Sequence, residues 1–212
     1  MRQLHFVVLI MRYTAEQALN ILIEGNRKFC SGEIAAHCFE NAQQIMKAEQ
    51  SPKVVILSCS DSRVLPEQIF SQGFGDVFVI RVAGNIAKSS QIGSIEYAVK
   101  QYEIPLVVVL GHSDCGAITS TINALRNSEK VLPENLQRIV DDIKPTVMSV
   151  YESNKTAELC DIAKLAIKEN AVNMVSGLCE NSTFLKQRVE CMQLKIVAAT
   201  FSMDTAVVEF FN

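Results

Sequence analysis

Three short runs of apolar, largely β-branched residues constrain this chain more than any other feature. Lys53-Val-Val-Ile-Leu-Ser58, Asp76-Val-Phe-Val-Ile-Arg81 and Pro105-Leu-Val-Val-Val-Leu110 are apolar without alternation, the pattern of strands buried on both faces. Between the second and third, Ile92 to Tyr102 carries apolar residues at helical spacing. Strand, helix, strand in that order implies a parallel sheet. Near the end, Leu194-Lys-Ile-Val-Ala-Ala199 and Ala206-Val-Val-Glu-Phe-Phe211, joined through Ser202-Met-Asp-Thr205, predict a terminal hairpin. The expected fold is α/β: a mainly parallel central sheet of about four strands plus a C-terminal antiparallel edge strand, flanked by helices.

The remaining segments read as helices. Thr14-Ala-Glu-Gln17 followed by apolar Ala18, Leu19, Ile21, Leu22 and Phe29 predicts an N-capped amphipathic helix. A second is expected over Phe39 to Gln50, ending before Pro52. Pro133 to Ser176 predicts two or three helices with a break at Pro145. No repeat or Gly/Pro/Ser-rich linker divides the chain, so one domain is expected over residues 14–212, preceded by an N-terminal extension over 1–13. The apolar run Phe6 to Met11 in that extension is too short to span a bilayer, no small-residue cleavage site follows it, and Met11 could itself be a start. A 212-residue chain buries roughly 70% of its unfolded surface, so it needs no disulfide to build a core. Its seven cysteines are odd in number and loosely spaced, which predicts reduced thiols and a cytoplasmic setting. The 20 basic and 23 acidic side chains are interspersed and give a net charge of −3, which excludes the basic footprint of a nucleic-acid binder; no membrane association is expected either.

Chemistry is expected beyond the carboxyl ends of the strands, where open α/β sheets bind ligands. Six of the nine glycines lie there, between Gly73 and Gly116. Cys59-Ser-Asp-Ser-Arg63 directly follows the first core strand, and Gly111-His-Ser-Asp-Cys-Gly116 follows the third, so Cys59, His112 and Cys115 reach the same sheet edge. Two thiolates and an imidazole suit Zn2+ and leave one tetrahedral position free. The competing reading is two small buried apolar side chains and a loop histidine; Asp61 and Arg63 argue against it, since a merely structural strand end has no need of them. Thiolates donate electron density, so this donor set acidifies water less than three histidines would. Two arrangements of Asp61 remain open. Its carboxylate can orient a water while pairing with Arg63, or it can itself be the fourth ligand; Arg63 and high pH favour the first. Without a metal, Asp61 and Arg63 reduce to an exposed ion pair worth about 0–1 kcal/mol.

Taken together, Cys59-Ser-Asp-Ser-Arg-Val64, Arg81-Val-Ala-Gly-Asn85, Gly93-Ser-Ile-Glu-Tyr-Ala98 and Gly111-His-Ser-Asp-Cys-Gly116 resemble the β-class carbonic anhydrases. The resemblance begins at Glu24-Gly-Asn-Arg-Lys-Phe29, fades after about Ser120 and returns weakly in the closing hairpin. It implies reversible hydration of CO2 to bicarbonate and a proton by a zinc-bound hydroxide, with one Zn2+ per chain held by Cys59, His112 and Cys115, and with Asp61 and Arg63 as the catalytic dyad. It further implies that Gln50 hydrogen-bonds substrate and that Phe78 and Tyr97 line an apolar pocket, often across a dimer interface, so a homodimer or homotetramer is expected. From pattern alone these three are equally a helix end, a strand core residue and a helix packing residue. Val82 replaces an Asn found in many members, and Ala83 is smaller than the Val that some members place in the pocket. Ile56 stands where members with a secondary inhibitory bicarbonate site carry Trp, so no such site is expected.

Two other functions fit the same residues: hydrolysis of carbon disulfide or carbonyl sulfide, and a non-catalytic zinc or redox-sensing domain with Asp61 permanently on the metal. Cys30, Cys38, Cys160, Cys179 and Cys191 have no matching ligand partners and are expected to be buried or half-buried free thiols. The adjacent His37 and Cys38 make a poor second zinc site, His5 falls in the tail, and no side chain is assigned as proton shuttle.

Overall fold

The continuous apolar runs become strands whose alternate side chains feed two separate cores. In the computed structural model, which describes residues 13–33, 42–126 and 132–211, β1 (Val54–Ser58), β2 (Val77–Arg81), β3 (Leu106–His112), β4 (Lys195–Phe201) and β5 (Val208–Phe211) form one sheet ordered β2-β1-β3-β4-β5. The first four are mutually parallel where they pair, and β5 runs antiparallel to β4 at the edge, as the sequence predicts. Val55, Leu57, Val107 and Val109 point to one face, where they meet Ile95 and Ala98 of α4 (Ser89–Tyr102), Ala171 and Leu178 of α7 (Leu159–Asn181) and Leu185 of α8 (Thr183–Glu190). Val54, Ile56, Leu106, Val108 and Leu110 point to the other and pack with Ala18 and Leu22 of α1 (Ala15–Cys30) and Ile69 of α3 (Pro66–Ile69). Burial on both faces is why β1 and β3 do not alternate; each large aliphatic side chain so removed from water contributes about 1.5–3 kcal/mol.

The N-terminal helix starts where its capping signal places it. The Thr14 hydroxyl accepts from the Gln17 N–H at 3.1 Å, and the Gln17 side chain accepts from the Thr14 N–H at 2.8 Å. On its inner face the buried Asn26 donates to the carbonyls of Ile69 (3.2 Å) and Ala206 (2.9 Å) and accepts from the Val208 N–H (2.9 Å), tying α1 to α3 and to the β4–β5 turn.

Several expectations are corrected. Pro145 does not break its helix: α6 (Glu134–Ser153) runs straight through it. Pro145 lies on the exposed side together with Asp141, whose carbonyl it frees, while Ile143, Thr146 and Val147 on the opposite side stay buried. His112 is not a loop residue. It ends β3, because β4 continues the pairing through Gly111↔Thr200 and His112↔Phe201. The predicted Phe39–Gln50 helix is represented by α2 (Ala42–Lys47); Phe39, with His37, Cys38 and His5, lies outside the described residues. Cys30, Cys160 and Cys191 are exposed rather than buried, and Cys179 is half-buried.

Beyond the carboxyl ends of β1 and β3 a third core closes over the loops. Ile118 and Ile122 of α5 (Gly116–Arg126), Ile143 and Val147 of α6, and Ile162, Ala166 and Ile167 of α7 pack with Ile86, Cys59 and Cys115. Among the described residues no helix is long and apolar enough to cross a membrane.

Candidate metal centre

The sheet delivers its chemistry to one corner. Cys59 leaves β1, His112 ends β3, and Cys115 follows on a tight loop immediately before α5. Their ligand atoms all lie within 4.8 Å of one another and all three residues are buried. His112 Nδ1 sits 2.8 Å from the Ser113 carbonyl, which makes Nδ1 the protonated nitrogen and leaves Nε2 a lone pair. That Nε2 is buried and has no hydrogen-bond partner. An orphaned imidazole nitrogen facing two buried sulfurs is costly, and a thiophilic cation satisfies all three groups at once. The residues present therefore fit Zn2+.

The two sulfurs titrate as a pair. The hydrogen bond with Cys115, opposed by burial and aided by His112 and the Gly84 N–H, draws the Cys59 thiol well below its ordinary range. The same bond to Cys59, together with burial, pushes Cys115 up, while the N–H groups of Ala117 and Ile118 at the start of α5 pull it back. Burial works against a charged His112, but Cys59, the Ser113 carbonyl and Asp61 together outweigh it and hold its pKa above the usual value.

Asp61 does not join this trio. Arg63 holds its carboxylate bidentately, Nε to Oδ1 at 2.9 Å and Nη2 to Oδ2 at 2.8 Å, and the Arg63 backbone N–H adds a third bond to Oδ1 at 3.0 Å. The guanidinium keeps the carboxyl well below the usual carboxylate range. The loop carrying both is braced by Arg81, whose side chain donates to the carbonyls of Cys59 (3.2 Å) and Asp61 (2.6 Å).

Two of these supports had no assigned role in the sequence. Arg81 lies within the Arg-Val-Ala-Gly-Asn motif, which was the available signal. Gly84, three residues on, points its N–H at Cys59 Sγ, 3.4 Å away. It adopts φ 69°, and a Cβ there would come within 2.5 Å of Ile143 Cδ1 and 3.2 Å of Ala117 Cβ. Gly84→Ala is accordingly expected to cost roughly 2–4 kcal/mol, from the left-handed backbone and the overpacked core together; guanidinium denaturation checks this, and a loss below about 0.5 kcal/mol would contradict it.

Gln50, Phe78 and Tyr97 come together, but elsewhere. Phe78 packs against Tyr97 and Tyr102, with centroids 6.3 and 6.4 Å apart, and Gln50 Nε2 donates to the Tyr102 hydroxyl at 2.8 Å. Gln50 and Tyr102 also line an open cleft of about 630 Å3 with Pro52, Lys53 and Pro105, at the amino ends of β1 and β3. Phe78 stands opposite Val55, four residues before Cys59 and thus roughly 13 Å from it along the strand.

This sheet and this corner belong to a known class of metalloenzyme fold. The solved β-carbonic anhydrase CcaA superposes with a TM-score of 0.71 at 28% identity, covering 92% of this chain and 95% of its own. A structure of tetrameric β-carbonic anhydrases from Sordaria macrospora shares the fold, with a TM-score of 0.71 at 19% identity over 92% of this chain and 96% of that one. The carbonic anhydrase family model matches residues 54–208. Carbonic anhydrase of Mycolicibacterium smegmatis is 40% identical over 195 residues, 91% of each chain, and carbonic anhydrase 2 of Mycobacterium tuberculosis is 34% identical over 190 residues, 88% of each. The chain belongs to the carbonic anhydrase family, in its β class, and is an enzyme of that kind.

Proposed function

We propose that the protein is a zinc-dependent hydratase of CO2, with one Zn2+ per chain held by Cys59, His112 and Cys115. The observation that carries this reading is the unpartnered, buried His112 Nε2 facing both sulfurs within one 4.8 Å cluster. When bound, Zn2+ lowers the pKa of a water ligand toward neutrality and so supplies the nucleophile. Arg63 keeps Asp61 ionised and paired outside the donor trio, so that Asp61 would not occupy the metal itself. In that state an Asp61 oxygen accepts a hydrogen bond from the attacking water and aims its lone pair at the CO2 carbon. The addition would yield bicarbonate and one proton, which would pass to the buffer. The apolar core of Ile86, Ile118 and Ile143 packed with Cys59 and Cys115 keeps one side of the site dry, which suits a substrate without charge.

Gln50, Phe78 and Tyr97 act on this site from a second copy of the chain. They are too far from their own Cys59, and they sit beside the open edge strand β2, with Tyr97 54% exposed. A homodimer, or a homotetramer built from it, completes the pocket. The reduced thiols fit a cytoplasmic enzyme. Tyr97→Asp is expected to shift the chain to monomer and to lower hydration roughly tenfold or more. Small-angle scattering with a parallel rate assay checks both, and a compact monomer with full activity would contradict the shared pocket. The function as a whole is tested by stopped-flow CO2 hydration on enzyme carrying one zinc per chain at pH 8.5: catalysis is expected, and its absence would leave a non-catalytic zinc domain or a sulfur-analogue hydrolase.

A further inference from the structure

Helix α7 passes behind the metal centre and turns one buried amide toward it. Asn170 is 1% exposed, and its Nδ2 donates to the Gly84 carbonyl at 2.9 Å. Gly84 in turn directs its own N–H at Cys59 Sγ, 3.4 Å away. A single residue thus joins α7 to a sulfur ligand, by its carbonyl on one side and its N–H on the other. The same face of α7 grips the neighbourhood twice more. Met174 Sδ accepts from the Ala87 N–H at 3.2 Å, and Asn173 Nδ2 donates to Thr146 Oγ1 on α6 at 2.9 Å.

Asn170 is a poor choice if packing were its only task. It sits among Ala166, Ile167 and Ala171 in the apolar interior, and its Oδ1 has no hydrogen-bond partner. Its acceptor oxygen is therefore unmet, a cost that an aliphatic side chain would avoid. What an aliphatic side chain cannot do is hold the Gly84 carbonyl, and with it the direction of the Gly84 N–H. Gly84 is held in a left-handed conformation and crowded by Ile143 and Ala117, so the turn has little freedom once its carbonyl is fixed.

We propose that Asn170 is a positioning residue of the metal centre: it fixes the Gly84 turn so that the Gly84 N–H donates to the Cys59 thiolate. That bond withdraws electron density from the sulfur, weakens its donation and leaves the metal more electrophilic. It offsets part of the handicap of a two-thiolate donor set, which otherwise makes the metal a weak acidifier. The inference rests on the metal reading above.

The test uses full-length enzyme loaded with Co2+, whose sulfur-to-metal charge-transfer band reports electron density on the thiolates. Asn170→Leu is expected to move that band to lower energy, as the thiolate regains electron density, and to weaken Zn2+ retention against a competing chelator by about tenfold, because the loosened turn no longer holds Cys59 in its ligating position. Asn173→Leu removes another side-chain bond of α7, the part-buried one to Thr146 on α6, and is expected to leave band and retention at wild-type values. If Asn170→Leu does not fold, Asn170→Ala, which adds no volume, carries the same expectation. Wild-type band energy and retention in the folded Asn170 variant would overturn the proposal, as would an equal shift in Asn173→Leu. A wild-type protein showing no sulfur-to-cobalt band would instead remove the metal reading itself.

Discussion

Cys115→Ser is expected to purify with far less than one zinc per chain and to hydrate CO2 no faster than buffer. The hydroxyl that replaces the thiol does not ionise near neutral pH, so a soft anionic donor is lost from a site proposed to have only three protein ligands. The fold should survive the change, because the apolar contacts of β1, β3 and β4 in the two sheet cores do not involve this sulfur. Its melting temperature should nevertheless fall relative to the zinc-loaded enzyme, since metal binding contributes to folding stability. Cys160→Ser is the matched control. That thiol is exposed on α7, and its loss should change neither zinc content nor rate. Full zinc in Cys115→Ser, measured by elemental analysis, would contradict the ligand set.

Asp61→Asn carries the second large effect, and it separates binding from turnover. None of the three proposed ligands is touched, so zinc content should remain at one per chain. The amide, however, can no longer accept two parallel bonds from Arg63 or hold a negative charge beside the attacking water. A fall in kcat of roughly 10–100-fold is expected. The pH dependence sharpens the test. Arg63 holds the Asp61 carboxyl below the usual carboxylate range, so the group is ionised throughout the neutral and mildly acidic range. The stabilisation it lends the fold is present above about pH 4 and fades only as pH drops below that, through the folded-state pKa. The variant should therefore lose activity by a similar factor at every pH from about 6 to 9, rather than shift the profile. Unchanged activity, or a displaced midpoint with full activity on its plateau, would count against the role assigned to Asp61.

The parts of the fold legible in the sequence are those governed by local pattern. Val54–Leu57 and Leu106–Leu110 read as doubly buried strands because no polar residue interrupts them, and the structure buries every one. The donor trio was legible for a related reason: in a parallel sheet, residues that directly follow two neighbouring strands must come out side by side, and β1 and β3 are neighbours. Thr14 was legible because a capping box is confined to four consecutive residues.

What stayed hidden depends on contacts far along the chain. Asn170 meets Gly84 across 86 residues, and nothing in its helical surroundings marks it as different from an ordinary polar residue on a helix. Gly84 could be seen as a glycine in a motif, but its two tasks follow only from where α6 and α7 press on it. Pro145 misled because a proline signal is local while the force that keeps α6 continuous is the burial of its opposite face. The separation of Phe78 from Cys59 likewise required the β1–β2 register; in the sequence alone they are simply two residues of one expected pocket.

The most direct measurement is a crystal structure of the zinc-loaded enzyme near pH 8. The account predicts a metal bound by Cys59, His112 Nε2 and Cys115, a solvent molecule in the fourth position, and Asp61 still paired with Arg63. A zinc ion ligated by Asp61 at that pH, with Arg63 displaced, or a metal bound away from this trio, would contradict it.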